Sequence, residues 1–138
     1  MGKFGWVLLF LFGVSIAKGQ VMKVKFNIGN NVAVVKLTPS QATDEFLAQL
    51  PLTLTFKDFA SVEKISYLPT KLSAKVAASS SVIDEGDFAY YAPWGNIAVF
   101  YKGTGKATSD LKILGTFESG KEFFNIKEPF KATIEVAK

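Results

Sequence analysis

The stretch Ala89–Tyr101, AYYAPWGNIAVFY, decides how this chain folds. It carries five of the nineteen aromatic residues and no charge. Phe88 to Ala92 and Ile97 to Lys102 flank Pro93-Trp94-Gly95-Asn96, with proline and glycine at the second and fourth positions of a type I turn, so the stretch predicts a hairpin. Neighbouring residues on a strand point to opposite faces. Tyr90 and Tyr91 therefore cannot both enter one core, and neither can Phe100 and Tyr101. At least one of each pair faces out or lines a cavity.

Outward from this hairpin the same period of two returns. Met22, Val24, Phe26 and Ile28 share a face, and Ala33, Val35 and Leu37 share another beyond Gly29-Asn30-Asn31, which reads as an antiparallel hairpin. Thr38-Pro39-Ser40-Gln41 offers a side-chain oxygen at an N-cap, proline at the first helical position and glutamine at the third. Ala42, Phe46 and Leu50, with Leu47, then form an apolar stripe that stops at Pro51, predicting an amphipathic helix of about three turns. Leu52, Leu54 and Phe56 restore a strand. The segment Asp58 to Asp87 is the least regular, with Pro69 and the run Ala77-Ala78-Ser79-Ser80-Ser81. It reads either as a long functional or mobile loop or as one containing an irregular strand or helical turn around Glu63 to Leu72. After a loop at Gly103-Thr104-Gly105, Leu111 to Glu118 reads as a strand. Ser119-Gly120-Lys121-Glu122 has the form of a capping box before a short helix at Phe123 and Phe124, and Phe130 to Val136 alternates as a last strand.

Seven or so strands, two short helices and no repeating β/α order predict a mainly β fold. The expected architecture is a closed antiparallel β-barrel with one or two short capping helices. The chain holds one such domain, expected over residues 20–138.

Residues 1–19 read as a signal peptide rather than as part of that domain. A positive start at Lys3 precedes fourteen almost wholly apolar residues, Phe4 to Ala17, and small residues lie just before Gln20. The run is shorter than the ~20 apolar residues of a spanning helix. The expectation is an exported protein, periplasmic or secreted. The absence of cysteine suits a bacterial setting better than a disulfide-rich extracellular module.

Composition removes much catalytic chemistry. There is no cysteine and no histidine, and all sixteen basic residues are lysine. Thiolate sites, imidazole bases and guanidinium forks are therefore excluded. Without Lys3 and Lys18 the balance is fourteen lysines against twelve acids, a charge of +2 that makes no case for nucleic acid. No cofactor and no metal is expected. Asp84, Glu85 and Asp87 read as a solvated turn, not as a calcium loop. Ser79 to Ser81 lack a base, and Gly103-Thr104-Gly105-Lys106 lacks the full phosphate-loop spacing. The aromatic residues are more informative, because tyrosine and tryptophan join apolar area to a polar tip.

Ordered motifs across the chain resemble those of small bacterial cyclophilin-like domain proteins, most of unknown function. They are Leu50 to Ala60 (LPLTLTFKDFA), Glu63 to Pro69 (EKISYLP), Gly86-Asp87 with Tyr90 to Tyr101 (YYAPWGNIAVFY), and Ile113-Leu114-Gly115. The resemblance covers nearly all of Met22 to Val136 and implies a cyclophilin-like barrel with small helices at its ends. It does not carry an activity with it. Cyclophilins stabilise a twisted prolyl amide with an arginine, whereas this chain has none, and Lys71 stands where an arginine is common. Lys64 or Lys71 would supply charge there but not paired planar donors.

The first expectation is thus a domain that binds a peptide or small ligand in an aromatic groove without catalysis. Its candidate residues are Phe56, Glu63, Tyr91, Trp94, Asn96 and Phe100, the rings giving apolar area and Glu63 and Asn96 giving orientation by hydrogen bonding. A weak peptidyl-prolyl isomerase without arginine and a structural accessory domain without a cleft are the alternatives.

Overall fold

The computed structural model describes residues 21–73, 82–106 and 109–138. The segment expected to be a signal peptide and the run Ala77 to Ser81 lie outside the described residues. Eight strands are formed: β1 (Lys23–Ile28), β2 (Asn31–Leu37), β3 (Leu52–Phe59), β4 (Glu63–Tyr67), β5 (Asp87–Tyr91), β6 (Asn96–Phe100), β7 (Leu111–Ser119) and β8 (Phe130–Val136). They close into an antiparallel barrel in the order β1-β2-β7-β5-β6-β4-β3-β8. Of the two readings of the segment after Asp58, the one with a strand near Glu63 is realised as β4.

Alternation sets which side chains enter the barrel. Val24, Phe26 and Ile28 from β1 meet Ala33, Val35 and Leu37 from β2, all buried. Phe26 lies at the centre, its ring 5.4–6.1 Å from those of Phe56, Phe88, Phe117 and Phe124. Three of these four contacts are edge to face, the arrangement that the ring quadrupole favours by ~0.5–1.5 kcal/mol beyond burial. Gly115 on β7 permits the approach of β2, since a Cβ there would stand 2.3 Å from the Lys36 carbonyl oxygen.

Two short elements stop the ends. The helix α1 (Gln41–Leu47) joins β2 to β3 and sends Phe46 onto Phe88 at 5.4 Å. Its N-cap is Ser40, two residues later than the expected Thr38. Ser40 Oγ accepts from the Thr43 N–H at 3.1 Å, while the Thr38 carbonyl accepts from the Thr43 hydroxyl at 2.7 Å. The residue able to reach a free helical donor takes the cap, and the helix is correspondingly shorter than three turns. At the opposite end a 3-10 turn, Lys121–Phe124, joins β7 to β8 and inserts Phe124 into the core. The expected capping box does not form: Gly120 occupies the N-cap position at φ 83° with no side-chain cap bond. A Cβ on Gly120 would come within 2.6 Å of Ala33 Cα, so close packing selects this glycine and with it the left-handed start.

Candidate functional site

β5 and β6 are covered on both faces. On β6 all five residues are buried, as are the first four of β5. Phe88, Tyr90, Ile97 and Val99 point into the barrel, while Ala89, Ala98 and Phe100 belong to a second, external cluster with Ile65, Ile83 and Leu111. The cover is the chain on either side of the hairpin. The Ile83 N–H donates to the Lys106 carbonyl at 3.2 Å, the Thr104 N–H to the Ile83 carbonyl at 3.1 Å, and the Gly86 N–H to the Phe100 carbonyl at 2.7 Å.

Between this cover and the outer wall of the barrel lies a cavity of about 700 Å³. Its apolar lining combines the rings of Phe59, Tyr91, Trp94 and Phe100 with Val62, Ile83 and Leu111. Glu63, Asn96, Thr104 and Lys106 are its polar side chains. A volume of that order suits a small molecule or a few residues of peptide.

Five of the six residues singled out in the sequence, Glu63, Tyr91, Trp94, Asn96 and Phe100, line this one cavity. Phe56 does not. It is fully buried inside the barrel, stacked on Phe130 at 5.8 Å and edge-on to Phe124 at 5.8 Å. The parity of β3 explains the difference: Leu54 and Phe56 point inward, so the odd positions point outward, and Phe59 is the β3 ring that reaches the cavity. That parity is legible in Leu52-Thr53-Leu54-Thr55-Phe56. Val62, Ile83, Leu111 and Lys106 were not foreseen, since they come from loops and a strand start whose return over β6 has no periodic signal.

The rings are ordered by contact. Trp94 stands on the turn after β5, whose Gly95 N–H donates to the Tyr91 carbonyl at 3.0 Å, and it meets Tyr91 at 5.4 Å and Phe59 at 5.5 Å, both edge to face. Trp94 itself is 45% exposed, so the three rings form a rim rather than a floor. Gly95 adopts φ +68°, and the stem of Lys71 packs against it so closely that a Cβ would fall 2.8 Å from Lys71 Cγ.

Asn96 lies at the bottom, 1% exposed. Its amide nitrogen donates to the neighbouring Ile97 carbonyl at 3.3 Å, while Oδ1 has no hydrogen-bond partner among the described residues. A buried acceptor left this way costs ~1–3 kcal/mol unless a partner arrives. Glu63, at the start of β4 opposite Phe100, is half-buried, and its carboxyl has no hydrogen bond or ion pair among the described residues. Desolvation, with a smaller contribution from the Asp58 charge, pushes its carboxyl up to about 7.

Beneath Glu63 the neighbouring positions satisfy one another. Lys64 turns inward and is 2% exposed. Its ammonium pairs with Asp58 Oδ1 at 3.1 Å, donates to the Ile126 carbonyl and sits 5.3 Å from the Tyr101 ring centroid. Tyr101 Oη donates to Asp58 Oδ1 at 2.5 Å. That hydrogen bond, followed by the contacts with Lys64 and the Ser61 N–H, outweighs desolvation and holds the Asp58 carboxyl below its usual value. Burial and the same bond push the Tyr101 phenol up to about 12. The two lysines considered as substitutes for an arginine therefore stand elsewhere: Lys64 inside the barrel and Lys71 over Gly95. Lys106 is the lysine that lines the cavity.

The acidic turn is explained by its own bonds. Asp87 Oδ2 accepts from the Asp84 N–H at 2.8 Å, and Glu85 lies 3.5 Å from the Lys121 ammonium. Among the described residues no group of histidine, cysteine, aspartate or glutamate is placed to hold a metal ion.

The model of a family described as cyclophilin-like matches residues 26–135. No curated protein matches the chain. The chain is similar in fold to a hypothetical protein of Archaeoglobus fulgidus determined in solution, with a TM-score of 0.65 over 85% of this chain and 95% of that one. Sequence identity between the two is 15%, so the likeness speaks to the fold alone.

Proposed function

We propose that this chain, which belongs to the cyclophilin-like family, is a binding module that takes a small molecule or short peptide on the outside of its barrel, without catalysis. The observation that carries this reading is the buried Asn96 Oδ1, without a hydrogen-bond partner among the described residues, in an aromatic cavity of about 700 Å³. Apolar rings with a few convergent polar groups are the usual makeup of a ligand site. A ligand N–H would remove the cost of leaving that oxygen dry.

The non-catalytic reading rests on what the cavity offers. Glu63, with its carboxyl near neutrality, has the acidity of a general acid or base. It has no histidine, cysteine or arginine to work with anywhere in the sequence, and no lysine other than Lys106 among the described cavity residues. The reading also includes export to a periplasmic or secreted location, supported by the apolar run Phe4 to Ala17 behind Lys3.

The test pairs two measurements on the purified protein. Calorimetric titration with a short neutral prolyl peptide amide is expected to show saturable binding, weakened about tenfold or more by Trp94→Ala, a loss of ~1.4 kcal/mol. A prolyl isomerisation assay is expected to show no acceleration. Acceleration that Trp94→Ala abolishes overturns the non-catalytic reading.

A further inference from the structure

The cavity has a polarity that the general reading leaves unused. Two of its polar groups, the Asn96 amide oxygen and the Glu63 carboxyl once ionised, are acceptors, and neither has a protein donor among the described residues. Asn96 spends its own N–H on Ile97. The hydroxyl of Thr104 is tied to the Lys106 backbone at 3.3 Å. Lys106, which also lines the cavity, is an exposed residue, whereas Asn96 is buried.

Register separates the backbone positions that carry the two acceptors. Glu63 stands opposite Phe100, and Asn96 begins the same strand four residues earlier. That separation is about 13 Å along the strand, at ~3.3 Å per residue. No single ammonium group can serve both. Between the two levels the cavity is apolar, lined by Phe100, Ile83 and Leu111, with the rim of Phe59, Trp94 and Tyr91 above them. Ring faces attract cations and methylene groups alike.

We propose that the cavity binds a linear aliphatic diamine or polyamine, with one charged amine at the Glu63 carboxylate, a second N–H donor at Asn96 Oδ1, and the methylene chain along Phe100, Ile83 and Leu111 under the aromatic rim. This rests on the reading of the cavity as a ligand site and names its ligand class. Charge complementarity supports it further. Asp58 lies near enough to Glu63 to raise the cost of a second negative charge, and an arriving cation relieves that cost. Other charged groups about the Glu63 end are Lys106, Asp58, Lys64 and Lys102, the last with its ammonium 5.9 Å from the Tyr101 ring centroid. Lys64 is paired with Asp58, and Lys106, a lining residue, opposes a cation.

The experiment is calorimetric titration of the purified protein at pH 8 with butylamine, 1,4-diaminobutane, 1,8-diaminooctane and spermidine, beside the neutral prolyl peptide amide and hexanoate. Affinity is expected to rise from monoamine to the longer diamines and spermidine. Glu63→Gln is expected to weaken every amine by about tenfold or more, as loss of a charge-assisted bond does. Asn96→Leu is expected to weaken the long diamines and spermidine but not butylamine. Lys106→Gln, on the exposed rim, is expected to tighten all of them. Amines that bind independently of length and of Glu63 overturn the proposal, as does tighter binding of hexanoate. If the peptide amide binds and no amine does, this inference fails while the wider binding reading stands. If nothing binds, both fall.

Discussion

The rings of Phe59 and Trp94 meet edge to face with centroids 5.5 Å apart, although their strands place them at opposite ends of the outer wall. Phe59 opposes Glu63 at the Phe100 end, and Trp94 follows Tyr91 at the Asn96 end. The pair therefore spans the cavity mouth. In a double-mutant cycle with Phe59→Leu and Trp94→Leu, the coupling in folding free energy is expected to be about 0.5–1.5 kcal/mol. Additive effects in urea unfolding would show that the rings do not hold one another. Both side chains are more than 40% exposed, so each single change is expected to be mild.

Phe56 gives the contrasting case. Truncation to alanine inside the barrel removes its stacking on Phe130 and leaves a void beside Phe26, at an expected cost of ~3–5 kcal/mol. Phe56→Leu is expected to lower stability by less and to leave ligand affinity unchanged. A changed affinity at unchanged unfolding midpoint would place Phe56 at the binding surface instead.

Gly115→Ala tests the closeness of β2 and β7. The added methyl would meet backbone atoms of Lys36 and Leu37 at 2.3–3.1 Å, where no side chain can swing away. The expected loss is ~1–3 kcal/mol, the range for overpacking, read from denaturant midpoints. Gly29→Ala is a useful partner, since nothing lies within 4 Å of its added carbon and only its φ of +59° opposes the change.

Glu63 predicts the pH dependence. Its carboxyl is raised in the folded chain from 4.5 to about 7, so the folded state holds a proton there that the unfolded chain has released. Stability is therefore expected to decline as pH rises from about 4.5 to 7, and Glu63→Gln is expected to flatten that decline. Asp58 acts in the other direction, because its carboxyl is lowered by Tyr101 first and Lys64 after. Its contribution is present above pH 3.8 and is lost as pH falls through its folded value. Unfolding midpoints of wild type, Glu63→Gln and Asp58→Asn across pH 3 to 8 separate the two windows. A decline above pH 4.5 that persists in Glu63→Gln would assign it to another group.

Much of the barrel was legible because period two is a local property. The strands from Lys23, Leu52, Leu111 and Phe130, and both flanks of the Pro93-Trp94-Gly95 turn, follow from which residues alternate. Two helix starts were misplaced for physical reasons that a one-dimensional reading cannot hold. Thr38 and Ser40 both offer an oxygen, and the competition is settled by which one Thr43 can reach. Ser119 loses its capping role because Ala33 leaves room only for a glycine beside it. At the site, the motif from Tyr91 to Phe100 led to four residues that the structure brings together, with Glu63 added across the β4–β6 pair. Phe56 went astray by being read as aromatic first and as an even-numbered β3 position second.

Closure of the barrel has a consequence for how partners can be met. Every strand has both of its neighbours, so a visiting peptide finds no row of free amides and carbonyls to extend as an added strand. Recognition is left to side chains standing on the outer wall and to the loops folded over it. Those loops can therefore diverge, and selectivity with them, while the ladder beneath keeps its register.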